Sequence, residues 1–383
     1  MRTRLYEKSD RADWDTYVYR HPRSNLYHLS GWKKIIEKSY GHRTYYLIAT
    51  KNTHQRAKNI QQGEPSTQGE SITNPANPIN PINLIVGVLP LVHLKHFVFG
   101  NSLISIPFFD LGGILADDEY IEKTLLSEAI KLGQDLGVNN IELRHVVPLS
   151  WINKTDSTNA ITCVTKSHKI RMLLELPESS EILMKSFKSK LRSQIKKPIK
   201  QGLTSKVGGM ELLNDFYKVF AINMRDLGSP VHSKKLMRNV LEEYPDKTRI
   251  VTVYKGDQTL ACSLITGFKG TLENPWASAL RAYSRMSPNM LLYWTMLEYG
   301  CDNGYTCFDF GRSSPGEGTY EFKEQWGAKP VPLYWHHISL DDKPIHLESS
   351  EKSKFDKVIR CWQKLPVCVT KLVGPRIRKH IGL

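Results

Sequence analysis

Cys307-Phe308-Asp309-Phe310-Gly311-Arg312, followed by Ser313-Ser314-Pro315-Gly316-Glu317-Gly318-Thr319 and Tyr320-Glu321-Phe322-Lys323-Glu324-Gln325-Trp326-Gly327, is the densest run of unusual residues in the chain. Its first residues read as a strand with polar groups at the carboxyl end, the edge where ligands bind in α/β sheets. The turn that follows offers amides and hydroxyls to an anion, which makes Ser313 and Ser314 candidate contacts.

Reading outward, Pro288 to Asn303 is predicted as a helix, with Ser287 as N-cap and Pro288 in the first turn. Arg249 to Tyr254 and Thr259 to Gly267 read as a hairpin through Lys255-Gly256-Asp257-Gln258, continued by Thr271 to Ala277, and Leu333 to Ile338 as a closing strand. Helices are expected at 212–227 and 233–243. Pro177 to Pro198 reads as one helix with Met184, Phe187, Leu191 and Ile195 on one face, which Pro198 should kink or end. The first half repeats the plan: helices at 12–19 and 30–39, strands at 44–49, 84–94, 103–106 and 113–115, a helix over 119–136 capped by Asp117 or Asp118, and strands at 141–144 and 170–176. Thr50 to Asn83, with Asn-Pro three times, reads as a flexible insertion at a hairpin tip, and Ser150 to Lys169 as a loop. The whole is α/β (α+β), divided as 1–176, 177–340 and a basic tail over 341–383.

The 383 residues are 40% hydrophobic and 24% charged, the composition of an ordinary soluble globular chain. No apolar run is long enough for a membrane-spanning helix, and the N-terminus has no signal-type apolar region, so a cytoplasmic location is expected. The six cysteines show no metal-type spacing and are expected as free thiols. The formal charge of +15 is concentrated. Ile182 to Met210 holds eight Lys/Arg and no acid, and 351–383 holds nine against Glu351 and Asp356, so the rest sums to zero. Such surfaces suit phosphates, tRNA or anionic lipid headgroups rather than a specific nucleic-acid sequence. In the tail, Phe355, Val358, Ile359 and Trp362 lie at helical spacing among lysines and arginines. That pattern fits either a segment at a membrane surface or a helix packed on the body.

Asp309-Phe310-Gly311 and Tyr320-Glu321-Phe322-Lys323-Glu324-Gln325-Trp326-Gly327 resemble the Fem family, the FemA/FemB/FemX peptidyltransferases that build peptidoglycan cross-bridges. Lys190-Leu191-Arg192-Ser193-Gln194-Ile195-Lys196-Lys197 with Gly202-Leu203 is similar to that family's basic helix. His28-Leu29-Ser30-Gly31-Trp32 resembles its N-terminal region, with His28 in place of Gln. Six blocks in order look like the FemAB-like subgroup associated with exosortase (PEP-CTERM) and exopolysaccharide systems: 30–32, 41–46, 87–91, 223–228, 288–294 and 310–314. The resemblance, over about residues 10–338, implies two tandem GNAT-like domains with mixed sheets flanked by helices. It also implies acyl or aminoacyl transfer to an amine or hydroxyl in the cytoplasm. In Fem enzymes the donor is aminoacyl-tRNA. Acyl-CoA enzymes instead cradle pyrophosphate with a glycine-rich loop. The corresponding stretch here, Arg281 to Asn289, has no glycine, which makes close backbone approach harder.

No bound cofactor and no metal are expected. The donor co-substrate is either aminoacyl-tRNA or acyl-CoA, and the acceptor a lipid- or nucleotide-linked saccharide. Lys323 is the first candidate, as the cation beside the developing negative charge. Arg312 is the second, as an anion clamp or the partner of a salt bridge to Asp309. Asp309 either orients one of them or caps the next turn. Glu321 and His232 are candidate general bases. Lys190, Arg192 and Lys196 are expected to meet acceptor phosphates. Trp32, Trp276, Arg281, Asn289, Tyr320 and Trp326 complete the expected binding set, the tryptophans serving as either acceptor walls or core. A CoA-dependent acyltransferase and a non-catalytic membrane-associated module are the other classes open to this sequence.

Overall fold

The computed structural model describes residues 1–53, 82–152, 162–341 and 352–382. The first half contributes β1 (Arg2–Leu5), α1 (Arg11–Arg20), α2 (Gly31–Tyr40), β2 (Arg43–Thr53), β3 (Ile82–His96), β4 (Gly100–Ile104), β5 (Leu115–Ala116), α3 (Glu119–Asp135), β6 (Asn140–His145) and β7 (Cys163–Lys166). The second contributes β8 (Ile170–Glu175), α4 (Ser180–Ser186), α5 (Ser189–Lys200), β9 (Leu203–Gly208), α6 (Leu213–Asp226), α7 (Lys234–Glu243), β10 (Thr248–Lys255), β11 (Gln258–Phe268) and β12 (Thr271–Ala279). It continues with α8 (Pro288–Asp302), β13 (Cys307–Ser313), α9 (Gly318–Glu324), β14 (Lys329–Pro332), β15 (Tyr334–Ser339), α10 (Lys352–Gln363) and α11 (Val367–Arg378).

Two mixed sheets result. The first runs β1-β2-β3-β4-β6-β15-β7, with β5 pairing β3, and the second β14-β8-β13-β12-β11-β10-β9. Among the described residues only β4 with β6 and β12 with β13 pair in parallel. The strands cross the boundary read near residue 176. β8 lies in the second sheet against β13 and β14, and β15 returns to the first sheet between β6 and β7. Adjacency in sequence carries no record of such an exchange. A shared core joins the halves, formed by Trp14, Trp32, Phe109, Phe216, Phe220 and Trp276. A second core packs α5 and α8 on the outer face of sheet two, and a third packs α3 on sheet one.

Local chemistry accounts for most element ends. Asp118 caps α3 by accepting the Ile121 N–H at 2.9 Å, and Ser233 caps α7 through Leu236 at 3.0 Å. Ser287 occupies the N-cap of α8 but makes no capping bond and sits at φ +56°. The helix read over 177–198 is two helices, broken where Phe187 and Lys188 are extended. Pro198 does not end α5, which runs on to Lys200 with the proline in its last turn. The insertion read over 50–83 begins as ordered ladder in β2 and β3, and its 54–81 portion lies outside the described residues. The polar stretch 150–169 contains the edge strand β7, which the loop reading missed.

Candidate functional site

Sheet two opens where β12 and β13 part. They pair only through Thr271–Cys307, Leu272–Phe308 and Glu273–Asp309, and then diverge. On the other side of β13, Phe310 and Gly311 face the single residue Met172 of β8, a bulge that removes them from the ladder. Gly311 adopts φ +74°, a conformation that suits glycine. At and just after the bulge, α9 supplies a side chain that meets the carbonyls of Gly311 and Arg312. Lys323 Nζ donates to Gly311 O at 3.0 Å and to Arg312 O at 2.8 Å.

Lys323 is 7% exposed, and burial pulls its pKa down to about 8. An ammonium has three N–H donors, and two are used by the backbone. The third is left for a ligand, because Lys323 lines two cavities at once. One cleft, ≈ 490 Å³, runs over the start of α8 and is lined by Arg281, Ser287, Asn289 and Phe322 among others. The other, ≈ 330 Å³, lies between the halves under Tyr27, Phe109, Asp110, Trp276, Arg312 and Arg378. Ala277, Tyr293, Thr319 and Lys323 belong to both. Tyr293 lies flat against Phe310, with ring centres 5.5 Å apart, and forms the wall at the junction.

Two carboxylates near the splayed strands, Asp309 and Glu273, are bonded differently. Asp309 accepts Arg171 Nε at 2.8 Å and Nη2 at 2.6 Å, while its other oxygen takes the Gly311 N–H at 2.8 Å. Its partner is thus Arg171, and the salt bridge considered between Asp309 and Arg312 does not form. Arg312 faces Asp110 at 3.3 Å and lies over the Trp335 ring at 5.4 Å. Glu273, on β12, lines the cavity between the halves and accepts the Tyr27 hydroxyl. Burial, reinforced by the charge of Asp309, holds its pKa above the ordinary carboxyl range. His232 also lines this cavity, but both ring nitrogens are engaged. Arg378 Nε donates to its Nε2 at 3.1 Å, and Tyr40 meets Nδ1 at 2.8 Å. With burial depressing its pKa, it is a neutral ring whose lone pair is already bound, which is poor equipment for a base.

The other expected residues scatter. Arg281 and Asn289 line the α8 cleft, and Trp276 lines the cavity between the halves. Lys190 and Trp326 line a third groove, ≈ 750 Å³, that reaches neither cavity. Arg192 and Lys196 lie on α5 and line neither cavity, and no acid pairs with them among the described residues. Trp32 is core, its ring N–H donating to Leu26 O at 3.0 Å. Glu321 is exposed on α9, Tyr320 donates to Glu324 at 3.3 Å, and neither lines the two cavities. Ser313 is buried with an unpartnered hydroxyl, and Ser314 accepts from Lys169 at 2.5 Å. No group of three or more His, Cys, Asp or Glu side chains suited to a metal ion occurs among the described residues.

The splayed strand pair thus opens over a buried cation onto a cleft at the start of the helix that joins the two strands. Residues 185–324 match the family model of the acetyltransferase (GNAT) domain. The chain carries a GNAT-type acyltransferase domain. No curated protein matches the sequence. Among solved structures the whole fold is similar to FemX (TM-score 0.61, 13% identity, covering 88% of this chain and 97% of that one). It is similar also to a conserved protein of unknown function from Bacteroides thetaiotaomicron (TM-score 0.54, 8% identity, 88% and 99%). A tandem GNAT protein from the clavulanic acid biosynthesis pathway gives 0.50, with 9% identity over 90% and 99%. The architecture is therefore that of tandem GNAT-like domains, and the site lies in the second, where the family model matches.

Glu273, Tyr27, Tyr293 and Arg378 were not singled out by the sequence reading. Glu273 left a signal, being a lone acid within a strand that is otherwise buried on one face. Arg378 left none, since only the fold brings the end of the chain to the cavity.

Proposed function

We propose that this acyltransferase moves an acyl or aminoacyl group from a carrier to an amine or hydroxyl of a cell-envelope saccharide precursor of exopolysaccharide or peptidoglycan type. The observation that carries the reading is the junction: a donor-sized cleft and a separate cavity between the halves share Lys323. Holding two reactants at such a junction can itself supply roughly 7–11 kcal/mol. In this scheme the acceptor nucleophile enters from the side of Glu273 and attacks the acyl carbon. A carbon–nitrogen or carbon–oxygen bond forms, and the negative charge gathering on the carbonyl oxygen meets the third N–H of Lys323. The nucleophile's proton passes to the Glu273 carboxylate and from there to the carrier oxygen, which leaves as a hydroxyl as its bond to the acyl carbon breaks and the carbonyl is restored.

Aminoacyl-tRNA is the donor favoured here over acyl-CoA. The loop before α8 has no glycine and holds Ser287 at φ +56°, so a side chain stands where a pyrophosphate would need bare backbone. The exposed α5 lysines, which no acid pairs with among the described residues, offer phosphate contacts outside the cleft. The saccharide class rests on the sequence resemblance to the FemAB-like proteins of exosortase systems. Calorimetry with acetyl-CoA at physiological salt, beside a transfer assay from charged tRNA, tests the donor. The expected result is no heat with acetyl-CoA and labelled product from charged tRNA. Saturable micromolar acetyl-CoA binding with acyl transfer overturns the tRNA reading in favour of the CoA-dependent one. Lys323→Ala separates both from a binding module, because transfer collapses in either enzyme.

A further inference from the structure

The hairpin joining β3 to β4 ends in Phe97-Val98-Phe99, which are 93%, 61% and 41% exposed. Turns are normally built from Gly, Asn, Asp and Ser, and three consecutive exposed apolar residues at a tip have no packing role. The tip is not isolated. The His96 ring lies 4.6 Å from Phe97, 5.0 Å from Phe99 and 4.3 Å from His380, at the end of α11. On α11, Val369, Leu372 and Val373 are exposed and Arg376 follows, a spacing of three, four and seven residues that makes one stripe leading toward His380. The opposite side of α11 is already fixed to the body. Thr370 is 1% exposed, and Gly374 lies so close to Val231 that a Cβ would be 3.0 Å from its backbone nitrogen.

The segment that carries the stripe is strongly basic. Lys95 flanks the tip, and residues 352–382 hold nine Lys/Arg with Asp356 as their one acid. We propose that the Phe97–Phe99 tip and the outward stripe of α11 form one docking face for an anionic lipid bilayer. Apolar side chains ringed by lysine and arginine match an acyl boundary beneath a phosphate layer. No described helix is long and apolar enough to cross a membrane, so contact here is at the surface. The inward side of α11 carries Arg378 into the cavity between the halves, which places that cavity close to the membrane. The docking face stands without the transfer chemistry, so the two ideas fail separately.

The test is flotation of the full chain with vesicles of phosphatidylcholine, alone or with about one-third phosphatidylglycerol. Binding is expected to the anionic vesicles only and to weaken with salt. Phe97→Ser with Phe99→Ser should lower partitioning about tenfold or more. Arg376→Gln, which removes one positive charge from the stripe, should lower it on the order of fivefold. All three side chains are exposed, so an unchanged unfolding midpoint verifies the fold. Lys196→Glu with Lys197→Glu on α5, on the opposite face of sheet two from α6 and α11, should leave binding within about twofold. The proposal falls if anionic vesicles are not bound, if the tip and stripe variants bind like wild type, or if the α5 pair abolishes binding instead. It falls equally if the chain is a dimer in solution that Phe97→Ser with Phe99→Ser dissociates, since a second copy then covers the face.

Discussion

The ends of β6 and β13 each bury a cation, Arg144 in the first sheet and Lys323 in the second, and the two are bonded differently. Arg144, 1% exposed, donates from Nε to Glu142 at 2.7 Å and from Nη1 to the Phe109 carbonyl. Its Nη2 sits 2.5 Å from Glu142, and its plane lies 4.7 Å from the Trp335 ring centre. Arg144 lines neither of the two cavities, so no donor of its guanidinium is offered to them. Lys323 spends two donors on backbone carbonyls and keeps one at the junction of two cavities. The loop after β4 fills the space of the first half with Ile106, Phe108 and Leu111, all buried. In the second half the corresponding opening is left by the divergence of β12 and β13. Burial of a charge is common to both sites, and spare hydrogen-bonding capacity facing a void belongs to the second.

The comparison breaks most visibly at Arg144. Arg144→Leu leaves Glu142 buried beside a lost partner and should cost about 3–5 kcal/mol in chemical denaturation. If stability is unchanged, Arg144 is not the structural cation described. Lys323→Ala should do the reverse, lowering the transfer rate about 10²- to 10³-fold. Its unfolding free energy should stay within about 2 kcal/mol of wild type. Glu273→Gln keeps the shape of the carboxyl and removes the proton acceptor, so the rate should drop on the order of 10²-fold. The pH profile sharpens the same contrast. With its pKa lowered to about 8, Lys323 loses its proton, and with it the oxyanion contact, as pH rises through that value, so the rate should fall above pH 8. Lys323→Arg, charged throughout, should be slower but lack this descending limb. The smallest effect belongs to the surface. Arg192→Ala with Lys196→Ala should raise the KM for a phosphate-bearing substrate several-fold and leave kcat alone, because both lie outside the two cavities.

How far these features could be read in advance depended on the kind of signal. Sequence pattern and end chemistry placed α3, α7, α8 and the β10–β12 meander nearly to the residue, because each is an apolar stripe or run bounded by turn residues. The short edge strands β1, β7, β9 and β14 were not found, since a four- to six-residue strand with mixed exposure carries little pattern. The exchange of β8 and β15 between the sheets is a topological fact with no local mark. At the site, the Asp309-to-Gly327 run marked Lys323 and Asp309, while their partners were hidden. Arg171 is 138 residues from Asp309, and Tyr27 is 246 from Glu273. The tail's amphipathic pattern was legible, but the burial of its inner face against α6 and the approach of Arg378 to the cavity needed the fold.

The account turns on Lys323 being a buried cation with a depressed pKa at the junction of the two cavities, and that can be measured without knowing any substrate. In a chain carrying ¹³C at the lysine ε-carbons, NMR titration should show one resonance moving with a midpoint at about 8. That resonance should be missing from Lys323→Arg. If every lysine instead titrates near the ordinary value of about 10.4, Lys323 is solvated and the proposed oxyanion contact is contradicted.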